Sequence, residues 1–202
     1  LVVVGDVDPQ EVLKLAQKYY GPLKPRAIRK IKPQREIPQI GTRSITIKVP
    51  AKVPYMVMGY KVPVVSTAKE AWEPYALEML ANVLDGGNSA RFNKNLIRGS
   101  EIAVSVGAGY DIYSRLGDLF IIDGTPSKGT SVEELQAAIK EQINIVKKEL
   151  VPTKELDRIK TQVVASKVYE KDSIFYQSMQ LGTLESVGLD WRLMDQFVEK
   201  FR

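Results

Sequence analysis

The sequence contains no cysteine and no histidine among its 202 residues. The absence of cysteine excludes disulfides, thiolate nucleophiles and cysteine-ligated zinc. The absence of histidine removes the usual general base, the Ser-His and Cys-His pairs, and the commonest metal ligand. What remains open is a metal site made of carboxylates alone, or an Asp or Glu that serves as an acid or a base.

Long apolar runs are also missing. No run approaches the roughly 20 residues that are needed to span a bilayer, and the short apolar start is not preceded by the basic region of a signal peptide. We therefore expect no membrane span, and the lack of cysteine suits the cytoplasm and the bacterial periplasm alike. Because the chain opens on Leu1 in an apolar run without an initiator Met, we interpret it as a segment of a longer protein.

Charge is present in both signs, with 29 Lys and Arg against 24 Asp and Glu and a net charge of +5. The basic residues are scattered apart from a mixed cluster at Lys24 to Arg35, which is typical of a solvated linker, so we expect no nucleic-acid partner. Proline is frequent between Gly21 and Gly41 and favours an extended segment. We place a linker at residues 25–41, between an N-terminal piece, 1–24, and a main domain, 42–202.

The N-terminal piece has the pattern of a strand followed by a helix. Leu1 to Val4 is apolar, and Asp8 with Glu11 three residues later predicts a capping box around the Pro9 that opens the helix. Gly21 with Pro22 ends it.

In the main domain, alternating apolar residues predict strands and spacing of three and four predicts helices. Asp85-Gly86-Gly87-Asn88 separates the first two helices, and Ser131 with Glu134 forms a second capping box. The predicted strands are Ser44–Val49, Tyr55–Val62, Ile102–Tyr110 and Gly117–Thr125, and the predicted helices begin near Glu73, Ser89, Ser131, Thr153 and Trp191, the fourth running to about Leu181. Because strands and helices come in runs, we predict an α+β fold whose antiparallel sheet is covered on one side by helices.

Three segments, taken in this order and spacing, resemble the pitrilysin/insulinase-type zinc metallopeptidases, the inverzincins, over essentially the whole chain. The segments are VVVGDVDPQEVLKLAQKYYGPL, VLDGGNSARFNKNLIRGSEIAVSVGAGYDIYSRLGDLFIIDGTP and GTSVEELQAAIKEQINIVKKELVPTKELDRIKTQVV. The family is built from repeated α+β domains, of which the first carries an H-x-x-E-H zinc motif and the second carries no metal.

The resemblance implies that residues 1–24 are the closing strand and helix of a zinc-bearing domain, and that 42–202 is the second domain without its last strand and helix. Because the chain has no histidine, the zinc of the parent protein would be bound upstream, and this segment would bind no metal and be inactive alone. The implied partners are a peptide substrate, the missing N-terminal zinc-bearing domain, and a second chain in a homodimer or two-chain pair.

In many relatives the second domain supplies an Arg and a Tyr to the substrate, in a pattern like L-R-x-x-x-G-L-A-Y. The matching stretch runs from Leu96 to Val104, in which Arg98 takes the Arg position, Val104 stands where the Tyr belongs, and the spacing is one residue short. The resemblance makes Arg98 a candidate substrate-binding residue. The alternative is a solvated cation that complements a helix C-terminus.

Three functions stay open at this stage: the non-metal wall of a peptide-binding chamber in a zinc endopeptidase, a non-catalytic scaffold or partner subunit of the same family, and an unrelated basic binding module. Asp111, Asp118 and Asp123 could line one side of the predicted hairpin, but without histidine they make a poor transition-metal site. We also expect Leu1 to Val4 to pair at an open place in a sheet or to lie exposed as an edge.

Overall fold

The computed structural model describes residues 1–27, 32 and 38–201. It contains two compact units, one of Gly5–Ala51 and one that joins Leu1–Val4 to Lys52–Arg202. The predicted linker, 25–41, lies partly outside the described residues, and residue 42 falls inside the smaller unit. The domain limits therefore stay a prediction.

The smaller unit contains the first helix, α1, Pro9–Tyr20. The Asp8 carboxylate caps it by accepting hydrogen bonds from the amides of Gln10 and Glu11, at 2.7 and 3.0 Å. None of the α1 residues is buried, although the helix is amphipathic. Its apolar stripe is therefore not buried within the smaller unit.

Two predicted strands do not form in the described residues. Ser44–Val49 has no regular structure, and its apolar residues are exposed. Leu1–Val4 belongs to the larger unit but pairs with no strand, and the Leu1 side chain is 87% exposed. A short apolar run predicted the first of these strands, Leu1–Val4, and alternation predicted the other, yet either pattern becomes a strand only where a neighbouring strand satisfies the backbone hydrogen bonds.

The larger unit is built on a three-stranded antiparallel sheet of order β1-β3-β2. The strands are β1, Met56–Val62; β2, Ala103–Gly109; and β3, Asp118–Pro126. Residues 110–117 connect β2 to β3, while β1 pairs on the other side of β3. Both β1 and β2 are therefore edge strands within the described residues, and the expected antiparallel α+β fold is confirmed.

Five α-helices and one π-helix complete this unit. They are α2, Glu73–Asp85; the π-helix, Asn93–Ile97; α3, Val132–Lys148; α4, Thr153–Glu170; α5, Ile174–Val187; and α6, Leu193–Lys200. The capping box of α3 forms as predicted, because Ser131 Oγ accepts from the Glu134 amide and the Glu134 carboxylate accepts from the Ser131 amide. Across residues 1–27, 32 and 38–201, every helix is too short or too polar to be a bilayer-spanning segment.

The long helix predicted from Thr153 to about Leu181 is wrong, since it is two helices. Lys171 and Asp172 form a turn after α4, and the Ser173 hydroxyl accepts from the Tyr176 amide to start α5. Ser173 is therefore an N-cap of the kind that sequence can signal, and the continuing apolar spacing concealed it.

The core lies between the sheet and the helices in two clusters. The first joins the covered face of the sheet to α2, the π-helix and α3, and it includes Phe92, Phe120, Ile122, Leu135 and Ile139. The second lies among α2, the β2–β3 connection, α4, α5 and α6. At Gly124 a Cβ would lie 3.2 Å from Leu135 Cδ2, so the glycine lets α3 approach β3 closely.

Candidate functional site

The junction between α2 and β2 has an unusual backbone. Gly87 takes a φ of 98°, and the chain then winds a π-helix in which the Arg98 and Ser100 amides donate to carbonyls five residues earlier, at 3.0 and 2.9 Å. Glu101 follows with a φ of 54°, a left-handed conformation that is rare for a residue other than glycine. π-Helices and strained backbone both concentrate at functional sites, so this junction is a candidate region.

Arg98 is the C-cap of the π-helix, and its side chain is exposed. Its guanidinium donates to the carbonyl of Asn88 across the junction. This bond holds the cation near a helix end, which is the arrangement expected if Arg98 is a solvated cation that complements a helix C-terminus. The exposed guanidinium has further N–H donors that a ligand could use, so the role of Arg98 in substrate binding stays a prediction.

Val104, in the position of the family Tyr, lies on β2 where the strand bulges. The pairing with β3 shifts between Ala103 and Ser105, and the Val104 side chain is 66% exposed. A bulge redirects a side chain away from the regular alternation of a strand. The side chain at this position is therefore open to solvent and supplies no hydroxyl.

One face of the sheet, which we call the open face, has no helix packed on it among the described residues of the larger unit. It carries Val57 of β1 and Leu119 and Ile121 of β3, which are 60%, 40% and 40% exposed. Ile121 lies between Gly59 on β1 and Gly109 on β2. A Cβ on Gly109 would meet nothing within 4 Å, so the backbone beside Ile121 is accessible from this face.

Two carboxylates border the open face at Gly107. Asp123 Oδ2 accepts a hydrogen bond from the Tyr55 hydroxyl at 2.9 Å, and Asp85 Oδ2 accepts from the Ala108 amide at 3.3 Å. Burial raises the pKa of Asp85, the Ala108 N–H lowers it, and the nearby Asp123 raises it again. The Asp85 carboxylate thereby satisfies one amide of the β2 edge that no strand satisfies.

A second feature of the junction is the ion pair between Arg91 and Glu155. The guanidinium bonds the carboxylate in two places, Nε to Oε1 at 3.0 Å and Nη2 to Oε2 at 2.9 Å, and the side chains are 14% and 19% exposed. The hydrogen bond from Arg91 lowers the pKa of Glu155 against the opposing effect of burial. The pair ties the start of α4 to the junction.

The described residues do not fit a zinc site. No group of three His, Cys, Asp or Glu side chains is placed to hold a metal ion in the part of the chain that the structure describes. Asp111 and Asp118 are bridged by the Ser114 hydroxyl, at 3.3 and 2.6 Å, within the β2–β3 connection. Asp123 bonds Tyr55 instead, so the three aspartates share no site.

Sequence reasoning missed two features of this region. Glu155 lies 64 residues from Arg91, and no local pattern connects them. The sequence predicts an ordinary short helix in this stretch, because apolar spacing does not distinguish a π-helix from an α-helix. The glycines on either side of it, Gly87 and Gly99, are the local signal of an irregular backbone.

The fold and the site together define an α+β domain with a three-stranded antiparallel sheet, whose described residues include no group of metal ligands. The chain belongs to the family described as the peptidase M16 inactive domain, whose model matches residues 1–163. The resemblance inferred from the sequence is confirmed.

The relatives agree with this assignment. The "Zinc protease PqqE" of Helicobacter pylori is 29% identical over 167 residues, which cover 79% of this chain and 36% of that protein. A crystal structure of a protease from Helicobacter pylori has a TM-score of 0.80 at 22% identity and covers 98% of this chain and 47% of its own. The chain thus spans well under two thirds of either relative.

A third similarity is to the crystal structure of the "Inactive Peptidase Domain of a Putative Zinc Protease" from Bordetella parapertussis. The TM-score is 0.64 at 16% identity, with 78% of this chain and 81% of that chain covered. At these identities the two solved structures support the fold alone, the first over 98% of this chain and the second over 78%.

Proposed function

We propose that this chain forms the non-metal wall of the peptide-binding chamber of a zinc-dependent endopeptidase and is inactive by itself. The observation that carries the proposal is the open face, where apolar side chains and accessible backbone lie on the side of the sheet opposite the helices. An extended peptide could lie over such a surface and be held by apolar contact and by backbone hydrogen bonds. The chemistry would come from zinc bound by another domain of the parent protein.

The position of Arg98 gives this wall a candidate polar contact. Its guanidinium is exposed and is held by one carbonyl of the junction. In the proposed complex it binds a carbonyl of the peptide. With Val104 in place of a tyrosine, no hydroxyl accompanies it, so we expect shape and backbone contacts to contribute more than polarisation of the scissile bond.

The amphipathic α1 supports a role next to a further domain. Leu15 and Tyr19, one turn apart, are 49% and 65% exposed, and apolar stripes of this kind normally pack against another element. We propose that residues 1–24 close a preceding zinc-bearing domain and that the stripe packs there.

Gly109→Val in the full-length parent tests the wall. The new side chain has free space but stands beside Ile121 on the open face, so it should block a bound peptide. We expect kcat/KM for peptide cleavage to fall about tenfold or more, mainly through KM, with the zinc content unchanged. Gly182→Ala on α5, where a Cβ also meets nothing within 4 Å, is the matched control.

The second candidate function is a non-catalytic scaffold or partner subunit, which is favoured by the family's description as an inactive domain. It predicts that the full-length parent neither binds zinc nor cleaves peptides. Metal analysis together with a peptidase assay on the parent separates the two. An active, zinc-loaded parent whose Gly109→Val variant retains full kcat/KM would contradict the wall.

A further inference from the structure

A groove of about 740 Å³ lies in the helix layer, away from the open face. It is bounded by the π-helix, the last turns of α3 and the first turns of α4. Its floor includes Ile145 and Pro152, and the Asn95 amide nitrogen donates to Gln142 Oε1 beside them. The groove combines apolar surface with amides, the composition that suits a peptide more than a bare inorganic ion.

The charge in this groove is predominantly positive. The charged lining residues are four cations and two carboxylates: Arg91, Lys94, Lys154, Arg158, Glu149 and Glu155. Arg91 and Glu155 neutralise one another, while the side-chain ammonium groups of Lys94 and Lys154 form no hydrogen bond or ion pair with any described residue and both residues are exposed. Two cations are thus free to meet an anionic ligand.

The field around Glu155 supports the same conclusion. The hydrogen bond from Arg91 lowers the pKa of the Glu155 carboxylate, and burial raises it. The positive charges of Arg91, Arg158 and Lys94 lower this pKa further. The groove also contains the start of α4, whose N-cap, Pro152, provides no side-chain acceptor. The positive end of the helix dipole therefore adds to the potential of the lysines.

We propose that this groove binds an acidic segment of a partner protein, in extended form, with its carboxylates on Lys94 and Lys154. In this complex Ile145 and Pro152 contact the partner's backbone and small side chains. The Arg91 side chain, which Glu155 holds in place, lines one side of the groove. This interaction surface lies on the helix layer and does not depend on the chamber wall proposed above.

The test uses the full 202-residue chain and a short fluorescent peptide of alternating Glu and Ser, followed by fluorescence anisotropy. We expect saturable binding that weakens steeply as salt is raised. Lys154→Gln and Lys94→Gln should each weaken it up to about fivefold, and the double variant more than either. Lys140→Gln on α3, an exposed lysine outside the groove, should leave it unchanged.

Four outcomes would overturn the proposal. The first is no binding of the acidic peptide at low salt, and the second is equal binding of a peptide in which every Glu is Gln. The third is binding that survives the double variant. The fourth is an oligonucleotide that displaces the peptide and binds more tightly, since this would make nucleic acid the ligand. Circular dichroism on each variant separates lost binding from lost fold, and exposed lysines give little reason for the latter.

Discussion

The side chains of Leu119 and Ile121 lie on one face of the sheet, and those of Phe120 and Ile122, from the same strand, lie on the other. The second pair is 4% and 1% exposed beneath α2, the π-helix and α3, whereas both members of the first pair are 40% exposed. The residues alternate in one strand and have the same apolar character. The difference shows that apolar alternation defines two faces, while packing helices decide which of them becomes core.

The contrast has a second consequence. A covered face stabilises the fold, because fully burying a large apolar side chain is worth about 1.5–3 kcal/mol. An apolar face left partly exposed gains less of that free energy, so its residues are free to serve binding. We therefore expect substitutions on the two faces to separate stability from ligand binding.

The largest expected effect comes from Ile122→Ala. The side chain is 1% exposed in the first core cluster, so its loss leaves a cavity and should lower the free energy of unfolding by about 2–5 kcal/mol. Urea unfolding measures it. Ile121→Ala, on the same strand, should cost less than about 1 kcal/mol, and equal losses at both positions would refute the distinction between the faces.

The second-largest effect is expected at the ion pair between Arg91 and Glu155, which connects the junction to α4. Glu155→Ala leaves the Arg91 guanidinium, 14% exposed, without its carboxylate, and we expect a loss of about 1.5–3 kcal/mol. A double-mutant cycle with Arg91→Ala isolates the coupling. A coupling energy near zero would mean that the pair only fills space.

The same pair predicts a pH dependence. Because the folded pKa of Glu155 is lowered, its contribution is complete above the pKa of an unfolded glutamate and is lost as pH falls through the lowered folded value. The stability difference between the wild-type chain and Glu155→Gln should therefore be constant near neutral pH and shrink in acid. A difference that grows as pH falls has the wrong sign for this ion pair.

Ser131→Ala should have a smaller effect, about 1 kcal/mol, because α3 loses the hydroxyl of its capping box. Leu135 and Ile139 of α3 pack on the covered face of the sheet. Loss of the cap should therefore lower stability without changing the open face. Thermal or urea unfolding measures the loss. Ser105→Ala, on an exposed position of β2, serves as the matched control and should be neutral.

The smallest effect is expected from Val57→Thr on the open face. Val57 is 60% exposed, and threonine keeps its shape and its strand propensity, so stability should change by less than about 0.5 kcal/mol. Val106→Thr makes the same change at 5% exposure and should cost about 1–3 kcal/mol, since it buries a hydroxyl. If Val57→Thr costs as much, the open face is covered by something in solution.

Much of the fold followed from local patterns. The helices at Glu73–Asp85 and Val132–Lys148 and the three strands of the sheet appear within a few residues of their predicted limits, because caps, glycine breaks and apolar periods are local properties. The failures arose where a local pattern was not enough. Ser44–Val49 alternates without a strand to pair with, and Ser173 interrupts a helix whose apolar spacing continues past it.

In the candidate site, too, one part could be predicted from the sequence and another could not. The motif around Arg98 and Val104 could be located by resemblance, and the structure puts both at the junction and the adjoining strand. The bidentate pair of Arg91 with Glu155 could not be foreseen, because it depends on α4 returning to the junction 64 residues later.

By itself, the sequence determined most of the helices and strands of the larger unit, the family, the absence of a histidine or cysteine site, and the alternation that gives each strand two faces. Only the tertiary structure decided which set is covered, that Ile121 stands between Gly59 and Gly109 on an accessible face, and that four cations gather around one groove. The physical reason is that periodicity is a property of neighbours along the chain, whereas burial, register and electrostatic potential arise from residues that meet only after the helices have packed on the sheet.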